Sequence, residues 1–187
     1  LFRPTVRIIP TLGPHPYLYE DPKYEFITQL DFQKLSCNYN QIEPIRETGL
    51  VWWAKTAQEV RNFFERHYEK TLSRSDGFVV FDIETYANLP TCIGFCFDGN
   101  ESCCVPILDY NISLDERIGM LNSVLKLLRS PIPKVNQNIK YDWRKLERLG
   151  WKVCNVVGDT MLATSCLYCE FPKNLGFLTS LYTDMPY

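Results

Sequence analysis

The residues that most invite chemistry are Asp82 and Glu84, separated by Ile83 and placed at the end of the chain's most apolar run, Phe78-Val79-Val80-Phe81. Side chains alternate along a strand, so the two carboxylates face the same way. An unpaired carboxylate there costs on the order of several kcal/mol, or takes up a proton to avoid that cost. No histidine or lysine lies near them in sequence. A hard divalent cation, Mg²⁺ or Mn²⁺, is therefore the natural partner for such an all-oxygen pair. The plainer alternative is a strand end whose acids point into water.

The distribution of charge adds to the first reading. Asp82 to Glu116 holds seven acids and no Lys or Arg. Between Lys134 and Lys152 the balance reverses, with Lys134, Lys140, Arg144, Lys145, Arg148 and Lys152 against Asp142 and Glu147 alone. Lys140, Arg144 and Arg148 recur every fourth residue and make a basic stripe on a helix, with Ile139, Trp143 and Leu146 as its apolar face. A stripe of this kind is ordinarily a solvated face. Beside a metal-binding acid pair it is also what a phosphodiester needs, cations for the backbone and metal for the scissile phosphate.

The elements that must position these residues are legible. Phe78–Phe81 reads as a strand covered on both faces. Strands over 91–97 and 102–107, joined by the turn residues Asp98-Gly99-Asn100, complete a three-strand meander. Ser113-Leu114-Asp115-Glu116 has the form of a capping box and opens a helix whose Leu114, Ile118, Leu121, Leu125 and Leu128 form a core stripe. Pro131 and Pro133 end it. A brief strand at Lys134-Val135-Asn136, a helix over 139–149 closed by Gly150, a strand through Val153, Val156 and Val157, and helices from near Asp159 and Asn174 follow. Upstream, Asp21-Pro22 starts a helix over about 23–35, Leu50-Val51-Trp52-Trp53 is strand-like, and Thr56 to Glu59 is another capping box. Val60, Phe63, Phe64 and His67 then repeat at helical spacing, with His67 as a partly buried spacer or surface residue. This order of elements predicts an α/β protein, a mixed sheet flanked by helices.

Composition bounds the rest. The chain has 187 residues, 45% of them hydrophobic, and a net charge of -2, which excludes a global electrostatic case for nucleic acid or membrane binding. Of eight cysteines only Cys166 and Cys169 make a C-x-x-C, with no second pair and no histidine nearby to complete a zinc site. They read as core-packing thiols rather than a redox pair, and a reducing, cytoplasmic setting fits them. No stretch reaches the roughly 18 apolar residues of a membrane span, and no basic-then-apolar stretch resembles a signal peptide, so no membrane partner is expected. Leu1 in first place suggests a segment of a longer protein.

Phe81-Asp82-Ile83-Glu84-Thr85, then Asn138-Ile139-Lys140-Tyr141-Asp142, then Asp159-Thr160-Met161-Leu162 together resemble the 3′-5′ proofreading exonuclease domain of family A DNA polymerases, and Leu175 to Tyr182 resembles its phage-type branch. The resemblance spans about Leu50 to Tyr187, within an exonuclease domain over 48–187 cut short before its third motif, and implies a ribonuclease-H-like fold, DNA replication as its setting and host cytoplasm if phage-encoded. It implies Asp82, Glu84 and Asp142 as catalytic metal ligands for two Mg²⁺ or Mn²⁺ ions, which activate water and stabilise the leaving 3′ oxygen. It implies Thr85, Asn138, Lys140, Tyr141 and Arg144 as substrate-binding residues, a single-stranded or frayed DNA 3′ end as substrate, and the polymerase domain of the parent chain as partner. Asp159 fits a helix cap near the site better than a ligand. The family's third motif adds an Asp with a Tyr or His, and no Y-x-x-x-D or histidine follows Asp142. An incomplete metal site, impaired or inactive in this chain, is the expectation. Residues 1–47 read as a linker or the tail of a preceding domain. Within them, Ile9 to Leu18 and the helix after Pro22 faintly resemble the end of iron-sulfur type uracil-DNA glycosylases. Two other readings remain open: a non-catalytic nucleic-acid-binding module of the same fold, and a stand-alone RNA-trimming exonuclease.

Overall fold

The computed structural model of the chain describes residues 27–29, 32 and 49–183. Residues 27–29 and 32 are helical; the rest of the helix expected over 23–35, and the glycosylase-like segment with His15, lie outside the described residues. One compact unit falls within Thr48–Leu167, and residues from Tyr168 onward belong to a second.

The first unit is built on a six-stranded mixed sheet in the order β1-β4-β3-β2-β5-β6. β2 (Val79–Tyr86), β3 (Leu89–Cys96) and β4 (Glu101–Pro106) form the antiparallel meander, with β1 (Leu50–Trp53) parallel to β4 at one edge. On the other side of β2, β5 (Lys134–Asn136) and β6 (Val156–Asp159) are parallel. Asp98 accepts from the Asn100 N–H at 2.9 Å in the turn before β4.

Helix α1 (Ala57–Leu72) starts at a complete Thr56/Glu59 capping box, a device worth about 1 kcal/mol. It buries Val60, Phe63 and Phe64; Phe64 meets Phe95 edge-on with ring centroids 5.1 Å apart, and Phe63 meets Trp52 at 5.5 Å. Helix α2 (Leu114–Leu128) is rotated from the expected stripe. Met120, Val124, Leu127 and Leu128 are buried, whereas Leu114 and Ile118 are exposed. Gly119 accounts for the rotation: a β-carbon there would stand 2.6 Å from the Ala57 Cβ, so the close approach to α1 turns the neighbouring positions inward. Ser113 caps α2 by accepting from the Glu116 N–H. The Glu116 carboxylate accepts from the Ala57 N–H at 2.5 Å, reaching one of the orphan donors at the positive end of α1.

Strand β2 also departs from expectation. Val79, Phe81 and Ile83 are buried, but Val80, Asp82 and Glu84 are exposed, so the strand is covered on one face only. The uncovered face is the one that carries the carboxylates.

Helix α3 (Ile139–Arg148) follows β5, ends before Gly150 in the left-handed region at φ 75°, and buries Ile139, Asp142 and Leu146. Trp143, expected on that apolar face, is 42% exposed, and the acid occupies the inward position in its place. Helix α4 (Thr160–Leu167) completes this unit, and the second contains α5 (Leu175–Tyr182), capped by Asn174 accepting from Phe177. Cys166 and Cys169 are exposed rather than core-packed, and the Cys169 thiol donates to Glu170. Among the described residues no helix is long and apolar enough to cross a membrane.

Candidate active site

The sheet and α3 bring Asp82 and Asp142, 60 residues apart in sequence, into hydrogen-bonding contact, with the Glu84 charge acting on both. Asp82 and Glu84 project from the open face of β2, as the D-x-E spacing requires. Asp142 comes from the buried side of α3 and is 3% exposed. Although Asp82 is exposed as a residue, partial desolvation of its carboxyl, followed by repulsion from Glu84, raises its pKa above the usual carboxylate range. Burial also pushes Asp142 up to about 7, where the Asp82 and Glu84 charges add to it and outweigh the hydrogen bond from Asn136. Carboxylates this close, sharing a hydrogen bond in place of a counter-charge, have an unmet need for positive charge.

Asn136 was not foreseen from sequence. It is 1% exposed, ends β5, and donates its Nδ2–H to Asp142 Oδ2 at 2.6 Å. Its Oδ1 is buried without a partner among the described residues. The donor set, three carboxylates with an orphaned amide oxygen beside one of them, fits a hard divalent cation. Asp82, Glu84 and Asp142 are the residues that would hold it. As the side chains stand, no group of three or more acids, cysteines and histidines among the described residues is arranged to hold a metal ion, so binding there requires the carboxylates to move.

Asp159 does more than cap its own helix. Its Oδ1 accepts from Met161 N at 2.8 Å at the start of α4 and from Asn138 N at 3.0 Å, and its Oδ2 accepts from Ile139 N at 3.0 Å. Asn138 is left-handed at φ 58° and makes no side-chain cap, so Asp159 supplies the N-terminal acceptor that α3 lacks. One carboxylate thus fixes the start of the helix that delivers Asp142.

Of the expected substrate-binding residues, Thr85 and Tyr141 meet next to the acids in sequence, whereas Lys140 and Arg144 lie on the exposed side of α3, away from the buried Asp142. A register shift between Glu84 and Thr85 interrupts the β2–β3 ladder, and the Thr85 hydroxyl meets the Tyr141 hydroxyl at 3.0 Å. Lys145 lies 5.1 Å over the Tyr141 ring and donates to Asn88 Oδ1 at 2.6 Å, which ties the β2–β3 turn to α3. Asn138, Lys140, Tyr141 and Arg144 line a groove of about 360 Å³ together with Lys145 and Arg148.

A mixed sheet of this order flanked by helices defines a ribonuclease-H-like α/β fold. No known family's sequence pattern and no curated protein matches the chain. Solved structures do match in fold. The POL domain of Pol1 from M. smegmatis, in complex with DNA primer-template and dNTP, aligns with a TM-score of 0.53 at 17% identity, over 70% of this chain and 22% of that one. Escherichia coli RNase D, an exoribonuclease involved in structured RNA processing, aligns at 0.52 and 16% identity, over 73% and 34%. NrnC from Brucella melitensis aligns at 0.52 and 11% identity, over 74% and 63%. The chain therefore spans about a fifth of the Pol1 structure and about a third of RNase D.

Proposed function

We propose that the chain is a divalent-metal-dependent 3′-5′ exonuclease module, acting on single-stranded or frayed DNA 3′ ends in the proofreading role of a family A polymerase. The observation that carries this reading is the meeting of Asp82 and Asp142, with Glu84 beside them, at the exposed face of β2. Bound divalent cations would supply Lewis-acid activation of water and charge stabilisation at the leaving 3′ oxygen. The chain's own residues do the rest. Asn136 and Asp159 hold Asp142 and its helix in place. Thr85 fixes the Tyr141 hydroxyl, so the half-exposed ring is presented to a terminal base. Lys140 and Arg144 face the groove and neutralise backbone phosphates. The equal likeness in fold to RNase D supports a second reading, RNA trimming by the same site.

The test uses 5′-labelled single-stranded DNA and RNA of the same sequence with Mn²⁺. Slow shortening from the 3′ end with release of nucleoside monophosphates is expected, in keeping with the incomplete site, and Asp82→Ala should bring it to background. Robust turnover abolished by that substitution would show that the three acids suffice and overturn the expectation of an incomplete site. Intact substrate in both chemistries would sink the enzyme reading and favour a binding module.

A further inference from the structure

Strands β3 and β4 carry a second set of donor atoms on the sheet face that holds Asp82 and Glu84. Glu84 pairs with Cys92 across β2 and β3, and Asp82 pairs with Gly94, which in turn pairs with Cys104 on β4. Paired residues share a face, so Asp82, Glu84, Cys92 and Cys104 lie on one side of the sheet. Cys92 and Cys104 are diagonal neighbours across β3 and β4, and their thiols meet in a hydrogen bond. Core packing does not account for the pair. The opposite face takes the core ladder of Ile93, Phe95, Cys103 and Val105, all buried, and Cys103 fills the apolar role there. Cys92 is 8% exposed, while Cys104 is half-buried and opens the pair to solvent. Burial, then the hydrogen bond with Cys92, pushes the Cys104 thiol up to about 12. A thiol so seldom ionised is a poor nucleophile toward peroxides and disulfides, which argues against a redox switch. Zinc and iron-sulfur clusters take three or four protein ligands. Among the described residues no group of three or more is arranged for them. Two thiols suffice for Cu⁺ or Ag⁺, soft cations that accept two sulfurs in line.

We propose that Cys92 and Cys104 form a two-coordinate site for a soft monovalent cation, Cu⁺ in the first place, on the same sheet face as the acids. The cation bonds both sulfurs, each thiol releases its proton to solvent, and copper stays in the +1 state throughout. The product is a bis-thiolate complex with a single negative charge, and no oxidant takes part. Hard and soft donors are thereby segregated, oxygens on β2 and α3, sulfurs on β3 and β4. Mn²⁺ and Cu⁺ should bind without displacing each other. The site stands apart from the nuclease reading, since none of its bonds involves the acids.

The experiment titrates Cu⁺ into the whole chain without oxygen, in competition with the chromophoric chelator bicinchoninate. The protein carries Cys166→Ser and Cys169→Ser, which remove the exposed thiols, and Cys37→Ser, at a position outside the described residues. A single Cu⁺ per chain is expected. Cys92→Ser or Cys104→Ser should each lower its affinity at least about 100-fold, beyond the cost of losing a residue that only supports a ligand. Cys96→Ser, on the same strand as Cys92, and Asp82→Asn should leave it unchanged. Circular dichroism checks that each variant is folded, and Cys104→Ala, at the more exposed member of the pair, stands in where Cys92→Ser does not fold. Failure to retain Cu⁺ against the chelator, or retention that survives in folded Cys104→Ser and Cys104→Ala proteins, would overturn the site. So would a Cys92–Cys104 disulfide found by mass spectrometry in place of the Cu⁺ adduct. Loss of Cu⁺ in Asp82→Asn would assign the cation to the acids and remove the thiol site, whereas Cu⁺ binding through the thiols in a protein that releases no nucleotides supports the site and removes the nuclease alone.

Discussion

Two groups of carboxylates in the same unit meet opposite fates. At the start of β4, Glu101 accepts from Trp52 Nε1 at 2.9 Å and Arg66 at 3.1 Å, and faces His67 at 3.4 Å. Burial acts to raise its pKa, but these bonds prevail and hold it below the usual range. Asp98, 4.0 Å from the other nitrogen of His67, is held low first by the Asn100 N–H. His67 stacks on Phe97 and completes this group. On the exposed face of β2 and the adjoining side of α3, Asp82 and Asp142 have no such cation among the described residues, and their pKa values rise. Residue type is the same in both places; what differs is whether the fold itself supplies the positive charge. Where it does, the acids fasten elements together. Where it does not, their pKa values rise.

Lys134 is the mirror case, and the largest stability effect falls on it. Its ammonium is fully buried, pairs with no acid among the described residues, and donates to Ser130 O at 2.9 Å and Ile132 O at 2.8 Å. Burial lowers its pKa from 10.5 to about 8. Between those values the unfolded chain holds the extra proton, so stability rises with pH, by ~3 kcal/mol across the window. Lys134→Met should flatten that slope in urea melts at pH 7.5, 9 and 10.5; an unchanged slope would assign it to other groups.

The acid pocket is next. Asn136→Ala removes the amide that orients Asp142, and Mn²⁺ affinity should fall about 10- to 100-fold with little loss of fold. Unchanged affinity would mean that packing alone orients the acid. The smallest effects carry opposite signs and so probe the comparison itself. In metal-free protein at pH 8, above the raised pKa of Asp142, Asp142→Asn relieves repulsion and should stabilise by ~1 kcal/mol. Glu101→Gln should destabilise by about 1 kcal/mol, less so in high salt, by weakening charged hydrogen bonds. Two losses of similar size would erase the distinction between the groups.

What sequence reveals follows from range. The D-x-E spacing, the helix bearing Asp142, the capping box at Thr56 and the turn at Asp98 are local signals, and the structure realises each. The element order also predicts the mixed sheet. The features that escape it depend on distant partners. His67 reads as a spacer because Glu101 lies 34 residues away. Asp159 reads as a cap for one helix because its contact with the start of α3 crosses 20 residues and a strand pairing, Asn136 opposite Asp159. The face of α2 is set by Gly119 against Ala57, which no periodicity within α2 encodes. Val80 looks like core by type, and its exposure follows from the face reserved for the acids.

Calorimetric titration of Mn²⁺ into metal-free protein tests the central claim most directly. Saturable binding that is lost in both Asp82→Asn and Asp142→Asn, and kept in Glu101→Gln, is the expected result. Absence of binding in the wild type, or binding that survives loss of Asp82 and Asp142, would contradict the account.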